Sequence, residues 1–240
     1  MKKIILVRHA TAVGHVTDGK DFDRSLRKKG RREARAMAGW YRRIAHVPDL
    51  LLSSPAKRAI ETARIFAKEI GYPRKKIVQD EALYGGLEPS DFLTIFKTLD
   101  DKHESVMVFG HDPSFSDFAQ YIVKGFDQNL PKCSVFGVTA SRRSWTMIRR
   151  GDGHLEIFEH PDGLGQRLDL VAAVSDEITD RIERGILDVL GEFGVGCEEQ
   201  ETAKIRRASA KLAKVFAPRA ALDLPPVRER RRMRKTKGKQ

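Results

Sequence analysis

Cationic and imidazole side chains follow three short apolar segments of this 240-residue chain. Arg8 and His9 come directly after the run at residues 4–7, and His111 follows the run at residues 105–109. Arg58 lies one turn beyond a third run, which ends near residue 54. Short runs rich in Ile, Val and Leu are typical of buried parallel strands, and ligands bind outside the carboxyl ends of such strands. We therefore expect these four side chains to converge on one site.

The chemistry that suits this set is phosphoryl transfer. Two guanidiniums, those of Arg8 and Arg58, can hold a phosphate through paired, charge-assisted hydrogen bonds. A neutral imidazole at His9 can attack phosphorus in line and form a phosphohistidine, and a second imidazole at His111 can stabilise the charge of the transition state. No metal or other cofactor is expected, because the chain has no HxH or HExxH motif and no clustered carboxylates.

The elements that must position these residues alternate between strand and helix. Apolar runs predict strands at residues 3–7, 49–54, 76–79 and 105–109, and helical spacing predicts helices at 31–44, 55–70, 90–99 and 114–123. Short alternating segments then predict strands at 134–140, 144–149 and 155–158. This order is typical of an α/β fold with a mainly parallel central sheet and helices on both faces. Beyond residue 163 the spacing predicts a C-terminal helical extension.

We therefore divide the chain into residues 1–160, which would carry the site, a helical extension at 164–217, and a basic tail at 218–240. The tail has nine Lys and Arg residues against two acids, so it supplies more than half of the net charge of +12. Its composition is typical of a disordered segment. Clustered basic residues permit weak contact with nucleic acid or with acidic surfaces, but this tail lacks the aromatic side chains on which bases stack.

Two other features bear on the environment of the protein. No apolar run approaches the roughly 18 residues needed to cross a bilayer, and the apolar run at residues 4–7 is too short for a signal peptide. The two cysteines, Cys133 and Cys197, are far apart and give neither a disulfide framework nor metal-ligand spacing. A cytoplasmic location is expected.

Three motifs, taken together, resemble a known family. LVRHA at residues 6–10, SSPAKRAIETA at 53–63 and GHDPS at 110–114 are similar to the motifs of the histidine phosphatase superfamily, whose fold is that of phosphoglycerate mutase. DFDRSLRKKGRREA at residues 21–34 further resembles the short phosphohistidine phosphatases of the SixA type. The resemblance covers about residues 1–158. It implies that His9 is the nucleophile and that Arg8, Arg58 and His111 bind the phosphoryl group.

Four further side chains are less clearly assigned. Members of the superfamily that act on esters carry a glutamate that protonates the leaving oxygen, and Glu81 stands where such a residue could lie, with Glu88 as a weaker rival. Glu81 could equally be a surface carboxylate, or one that reaches the site only through another side chain. Thr11 could contact phosphate or act as a simple cap. Arg24 could shape the mouth of the site or hold its loop through an ion pair.

Three functions follow from these observations. The first is removal of phosphate from protein phosphohistidine, whose imidazole leaves easily once protonated and needs no dedicated carboxylic acid. The second is hydrolysis of a phosphomonoester, on a small metabolite or a phosphoserine or phosphothreonine protein, with Glu81 as the acid. The third is binding of nucleic acid or a protein partner through the basic tail. The expected partner is accordingly a phosphorylated protein or a small phosphorylated substrate.

Overall fold

A computed structural model describes residues 1–14, 21–194 and 196–222. Six strands form one sheet in the order β3-β2-β4-β1-β5-β6. They are β1 (Lys2–Arg8), β2 (Leu50–Ser53), β3 (Val78–Gln79), β4 (Ser105–Gly110), β5 (Val135–Ala140) and β6 (Gly153–Glu159). The first four are parallel, whereas β5 pairs antiparallel with both β1 and β6. The predicted α/β class with a mainly parallel sheet is confirmed.

Helices flank this sheet and extend the chain beyond it. They are α1 (Lys28–Ile44), α2 (Lys57–Ile70), α3 (Pro89–Lys97), α4 (Ser114–Ile122), α5 (Pro161–Glu192) and α6 (Glu199–Leu222). Short 3-10 turns lie at Asp21–Asp23, Arg74–Lys76, Glu81–Tyr84 and Trp145–Met147. Pro89 begins α3, where its fixed φ and missing N–H cost nothing. Gly71 ends α2 in the left-handed conformation that glycine adopts without strain.

Strands β1 and β4 form the centre of the sheet, and their apolar side chains are almost fully buried. Ile4, Leu6, Val106 and Val108 belong to one core cluster, in which the aromatic side chains of α3 and α4 also pack. Continuous Ile and Val runs suit strands that are covered on both faces. The ends of β1 and β4 are thereby held rigidly, and the candidate residues follow those ends.

One predicted strand is wrong. Residues 144–149 alternate in polarity as a strand does, but they form a 3-10 turn around Trp145. The indole is buried, lies 5.9 Å from the ring of Phe96, and donates its N–H to the carbonyl oxygen of His103. The hydroxyl of Ser144 caps the turn by accepting from the N–H of Thr146. Burial of one large aromatic side chain, with its polar atom satisfied, outweighs a weak alternating pattern.

The chain divides into two compact units, Met1–Gly163 and Leu164–Gln240. Within the second unit, Arg206 of α6 pairs with Asp180 and Glu183 of α5, so the two helices contact each other. Helix α6 continues to Leu222 and so includes the first residues of the predicted tail. Residues 223–240 of that tail lie outside the described residues. No helix in the described part of the chain is long and apolar enough to span a membrane.

Helix α1 approaches the end of β1 at a glycine. A Cβ atom on Gly30 would lie 2.1 Å from the carbonyl oxygen of Thr11, two residues after His9. The N–H of Arg27 donates to the same oxygen at 2.9 Å. The close approach of these two backbone segments therefore depends on a residue without a side chain.

We expect Gly30→Ala to destabilise the protein, because the added methyl group meets backbone and only a shift of α1 or Thr11 could accommodate it. The cost should be about 1–3 kcal/mol. Gly39→Ala is the matched control: it lies in the same helix and its Cβ would meet nothing within 4 Å. It should stabilise by about 0.5–1 kcal/mol through the helix preference of alanine. Urea unfolding of both variants measures the difference, and equal midpoints would contradict the prediction.

Candidate active site

The carboxyl ends of β1, β2 and β4 lie level with one another. Arg8 pairs in register with Gly110, and Ser53 pairs with Phe109. The ladder continues past the strands, since the N–H of His9 donates to the carbonyl oxygen of Gly110 at 3.0 Å. This register places the residues that follow each strand at one edge of the sheet. The rings of His9 and His111 accordingly lie with their centroids 5.2 Å apart.

His9 has one nitrogen fixed as a donor. Its Nδ1 lies 2.9 Å from the carbonyl oxygen of Ala10, which can only accept, so Nδ1 carries the hydrogen and Nε2 keeps its lone pair. Burial lowers the pKa of His9 to about 4, against the opposing effect of this hydrogen bond, and the guanidiniums of Arg58 and Arg8 lower it further. His9 is therefore a neutral imidazole at neutral pH, with its nucleophilic nitrogen available.

His111 is held by two neighbours. Its Nε2 lies 2.9 Å from the hydroxyl oxygen of Ser54, and the ring of Tyr84 meets it edge-on at a centroid distance of 5.8 Å. Burial lowers the pKa of His111 to about 3, with further contributions from Arg58 and His9. The second imidazole is thus also neutral in this arrangement, and its orientation is set by the segment that follows β2 and by the Glu81–Tyr84 turn.

Arg8 is anchored from the far side of the site. Its Nη1 donates to the carbonyl oxygen of Leu130 at 2.6 Å and lies 3.6 Å from a carboxylate oxygen of Asp112. Asp112 is itself held by the hydroxyl of Ser116. These contacts fix the guanidinium next to His9, whose pKa it affects.

Arg58 and Arg24 share a carboxylate. Arg58 Nη2 lies 2.9 Å and Arg24 Nη2 lies 2.7 Å from different oxygens of Asp21, and Arg58 also donates to the Asp21 carbonyl oxygen. Although partial burial works against the charge, the two guanidiniums keep the pKa of Asp21 below its ordinary value. Arg24 in addition donates to the carbonyl oxygen of Val13. Asp21 is therefore an ionised side chain that orients two cations.

Several nitrogen atoms at this edge are buried and have no hydrogen-bond partner among the described residues. They are the Nε atoms of Arg8, Arg24 and Arg58 and the Nδ1 atom of His111. Buried polar atoms are nearly always paired in folded proteins, so such a group points to a ligand. Because arginine Nε can only donate, the ligand that fits is an acceptor-rich anion. A phosphoryl group, with its several oxygens, has this chemistry.

The remaining predicted residues lie elsewhere or are otherwise occupied. Glu81 is exposed, and no described contact joins it to His9, His111 or an arginine. Glu88 caps α3 through a capping box with Asp91. The N–H of Thr11 donates to the carboxylate of Glu33 at 3.1 Å, so this N–H is already used within the fold. No group of three His, Cys, Asp or Glu side chains in the described part of the chain could hold a metal ion.

Sequence reasoning did not find three neighbours of the site, namely Asp21, Ser54 and Tyr84. Ser54 belongs to the motif at residues 53–63, and Asp21 opens the segment at 21–34, so both lay within patterns that had been recognised. Their roles depend on contacts across 37 and 57 positions of the chain. Tyr84, three residues after Glu81, had no sequence signal of its own.

Comparison with known proteins gives a family match over the first part of the chain and one sequence relative. Residues 4–87 match the family model of the histidine phosphatase superfamily, branch 1. An uncharacterized protein of Picosynechococcus sp. is 27% identical over 145 residues, which cover 57% of this chain and 84% of that protein.

Two solved structures share the fold. The protein histidine phosphatase SixA in complex with tungstate aligns with a TM-score of 0.58 and 20% identity, over 68% of this chain and 99% of that one. A candidate phosphohistidine phosphatase SixA from Agrobacterium tumefaciens aligns with a TM-score of 0.54 and 24% identity, over 67% and 98% of the two chains. At these identities the likeness establishes the fold. Through residues 4–87 the chain matches the histidine phosphatase superfamily, and this match supports a phosphatase activity.

Proposed function

We propose that this protein hydrolyses phosphohistidine on a protein through a covalent intermediate on His9. Nε2 of His9 attacks phosphorus, the bond from phosphorus to the leaving imidazole breaks, and water then releases phosphate from phospho-His9. The observation that carries the proposal is a neutral imidazole, its tautomer fixed by the Ala10 carbonyl, together with four buried nitrogens that have no hydrogen-bond partner among the described residues.

The surrounding cations supply the electrostatic part of this mechanism. Arg8, held by Leu130, and Arg58, held by Asp21, would each turn an N–H face toward the phosphoryl oxygens. His111 lies at 5.2 Å from the His9 ring and would contact the same group. Since these groups are fixed by packing before substrate arrives, they stabilise developing charge without reorganising. Arg24 would contribute from the mouth of the site.

The choice between a substrate with a P–N bond and a phosphate ester depends on the carboxylates near the histidines. Asp21 is ionised, because its two arginines lower its pKa, and so it holds no proton to donate at neutral pH. Glu81 is exposed and makes no described contact with the pair of histidines. A phosphomonoester needs an acid to protonate its leaving oxygen, whereas an imidazole leaves once it is protonated by solvent. This arrangement therefore favours phosphohistidine over an ester.

The test compares two substrates and one variant. We expect rapid release of phosphate from a histidine-phosphorylated protein, with hydrolysis of an aryl phosphate ester slower by about 10²-fold or more, the usual contribution of a general acid. Glu81→Gln should leave phosphohistidine turnover within twofold of wild type. If instead the ester is the faster substrate and Glu81→Gln abolishes its hydrolysis, the protein is a phosphomonoesterase with Glu81 as its acid.

A further inference from the structure

The positive charge of the first unit is concentrated on one helix. Helix α1 carries seven basic side chains and one acid in 17 residues. The basic ones, which we term the basic face, are Lys28, Lys29, Arg31, Arg32, Arg35, Arg42 and Arg43. The rest of residues 1–217 has 29 basic and 30 acidic side chains and is therefore almost neutral. Apart from the tail, the net charge of the chain is thus the charge of this helix.

The basic face is a continuous surface. At 100° per residue its seven side chains fall within an arc of about 160°, opposite the buried positions Ala34, Met37 and Tyr41. All seven are exposed. Along the helix they span about 24 Å at 1.5 Å per residue. A surface of this size can contact the side of another protein element along its whole length.

Few of these charges are used within the protein. Lys29 lies 3.7 Å from Glu33, and Arg31 lies 3.0 Å from Glu61. The other five make no ion pair or hydrogen bond with a described residue. Glu33, the one acid of the helix, is only 12% exposed and accepts from the N–H of Thr11. The positive charge of the basic face is therefore not neutralised by the acidic side chain of its own helix.

The basic face begins beside the candidate active site. The carbonyl oxygen of Thr11, two residues after His9, accepts from the N–H of Arg27 immediately before α1. Arg24, which pairs with Asp21 at the site, lies four residues before the helix. Any macromolecule that presents a side chain to His9 therefore brings the surface around that side chain close to the first turns of α1.

We propose that the basic face of α1 is a docking surface for the acidic side of the phosphohistidine-bearing protein substrate. This inference depends on the proposed function, since a phosphohistidine side chain reaches the site only as part of the protein that carries it. Complementary charge speeds encounter and aligns the partner, which lowers KM more than it changes the chemical step. An RNA partner fits less well, because Trp40, the aromatic side chain of α1 beside the basic face, is only partly exposed, and bases stack on exposed aromatic rings.

The test uses two charge-reversed double variants of the full chain. Arg32→Glu with Arg35→Glu changes the centre of the basic face. Lys75→Glu with Lys76→Glu makes the same change in net charge on exposed residues that precede β3, at the end of the sheet opposite the site. The probes are an acidic phosphorelay domain phosphorylated on histidine, and phosphoramidate as a small P–N substrate. Neither variant touches a residue of the candidate active site.

We expect the arginine pair to lower kcat/KM for the phosphorylated domain about tenfold or more, and to remove most of its dependence on salt. Phosphoramidate turnover should stay within twofold, and the lysine pair should resemble wild type with both probes. Equal effects of the two pairs would overturn the docking surface while the proposed function stands. If the arginine pair instead weakens binding of an RNA oligonucleotide and leaves turnover of the phosphorylated domain unchanged, the basic face is a surface for RNA. Failure of wild type to hydrolyse either P–N probe would instead refute the proposed function.

Discussion

Replacing His9 by alanine should lower kcat/KM for phosphohistidine about 10³-fold or more, since removing a nucleophile removes the covalent route altogether. The position is well suited to that role. The Ala10 carbonyl fixes the proton on Nδ1, burial keeps the ring neutral, and the nearest second ring is His111 at 5.2 Å. Release of phosphate from a phosphorylated protein domain measures the effect.

A second measurement detects the phosphohistidine intermediate on the protein. It is made in alkali, because phosphohistidine is lost in acid. Wild type mixed with radiolabelled substrate and quenched in alkali should retain label on the protein, and His9→Ala should retain none. His46→Ala is the matched control, since His46 is an exposed histidine of the same unit. A His9→Ala variant that kept more than a tenth of wild-type turnover would exclude His9 as the nucleophile.

Replacing Arg58 by alanine should lower kcat/KM by about 10²–10³-fold, the usual cost of losing one preorganised donor to a developing anion. Arg58 is buried at the start of α2 and donates to Asp21 through two nitrogens, which fixes its guanidinium beside both histidines. It also affects the pKa of each histidine. Steady-state kinetics with phosphoramidate and with a phosphorylated domain measure the loss.

The control for Arg58 is Arg64→Ala, which changes an exposed arginine of the same helix that makes no side-chain hydrogen bond or ion pair with a described residue. It should change kcat/KM less than twofold. Inhibition by inorganic phosphate separates a binding role from a structural one: Arg58→Ala should raise the inhibition constant, and its circular dichroism should match that of wild type. An Arg58 variant with unchanged phosphate affinity would contradict the role we assign to this side chain.

The elements that carry the candidate site were predictable because their signals are local. The apolar runs before Arg8, near residue 54 and before His111 each predict a buried strand, and β1, β2 and β4 lie there. Parallel pairing then brings the strand ends to one edge without further information. Helix α1 was predictable for the same reason, since its apolar residues recur at helical spacing.

What the sequence did not reveal depends on contacts between distant segments. Asp21 reaches Arg58 across 37 positions through a three-residue turn, and no periodicity predicts where such a turn points. At Trp145 a strand was predicted that does not form. The residues around Trp145 alternate in polarity like a strand, but burial of the indole fixes a 3-10 turn. Tertiary packing determined both outcomes, and local pattern cannot predict it.

The short strand β3 has a consequence for the solubility of the fold. A sheet edge exposes unpaired N–H and C=O groups on which another chain can form a further strand, and long, flat edges promote aggregation. At this edge β3 spans only Val78–Gln79, and the basic turn Arg74–Lys76 precedes it. A strand of two residues offers an incoming strand very few backbone hydrogen bonds. The three positive charges repel a second copy of the same edge. On this side, then, the sheet is protected against edge-to-edge polymerisation.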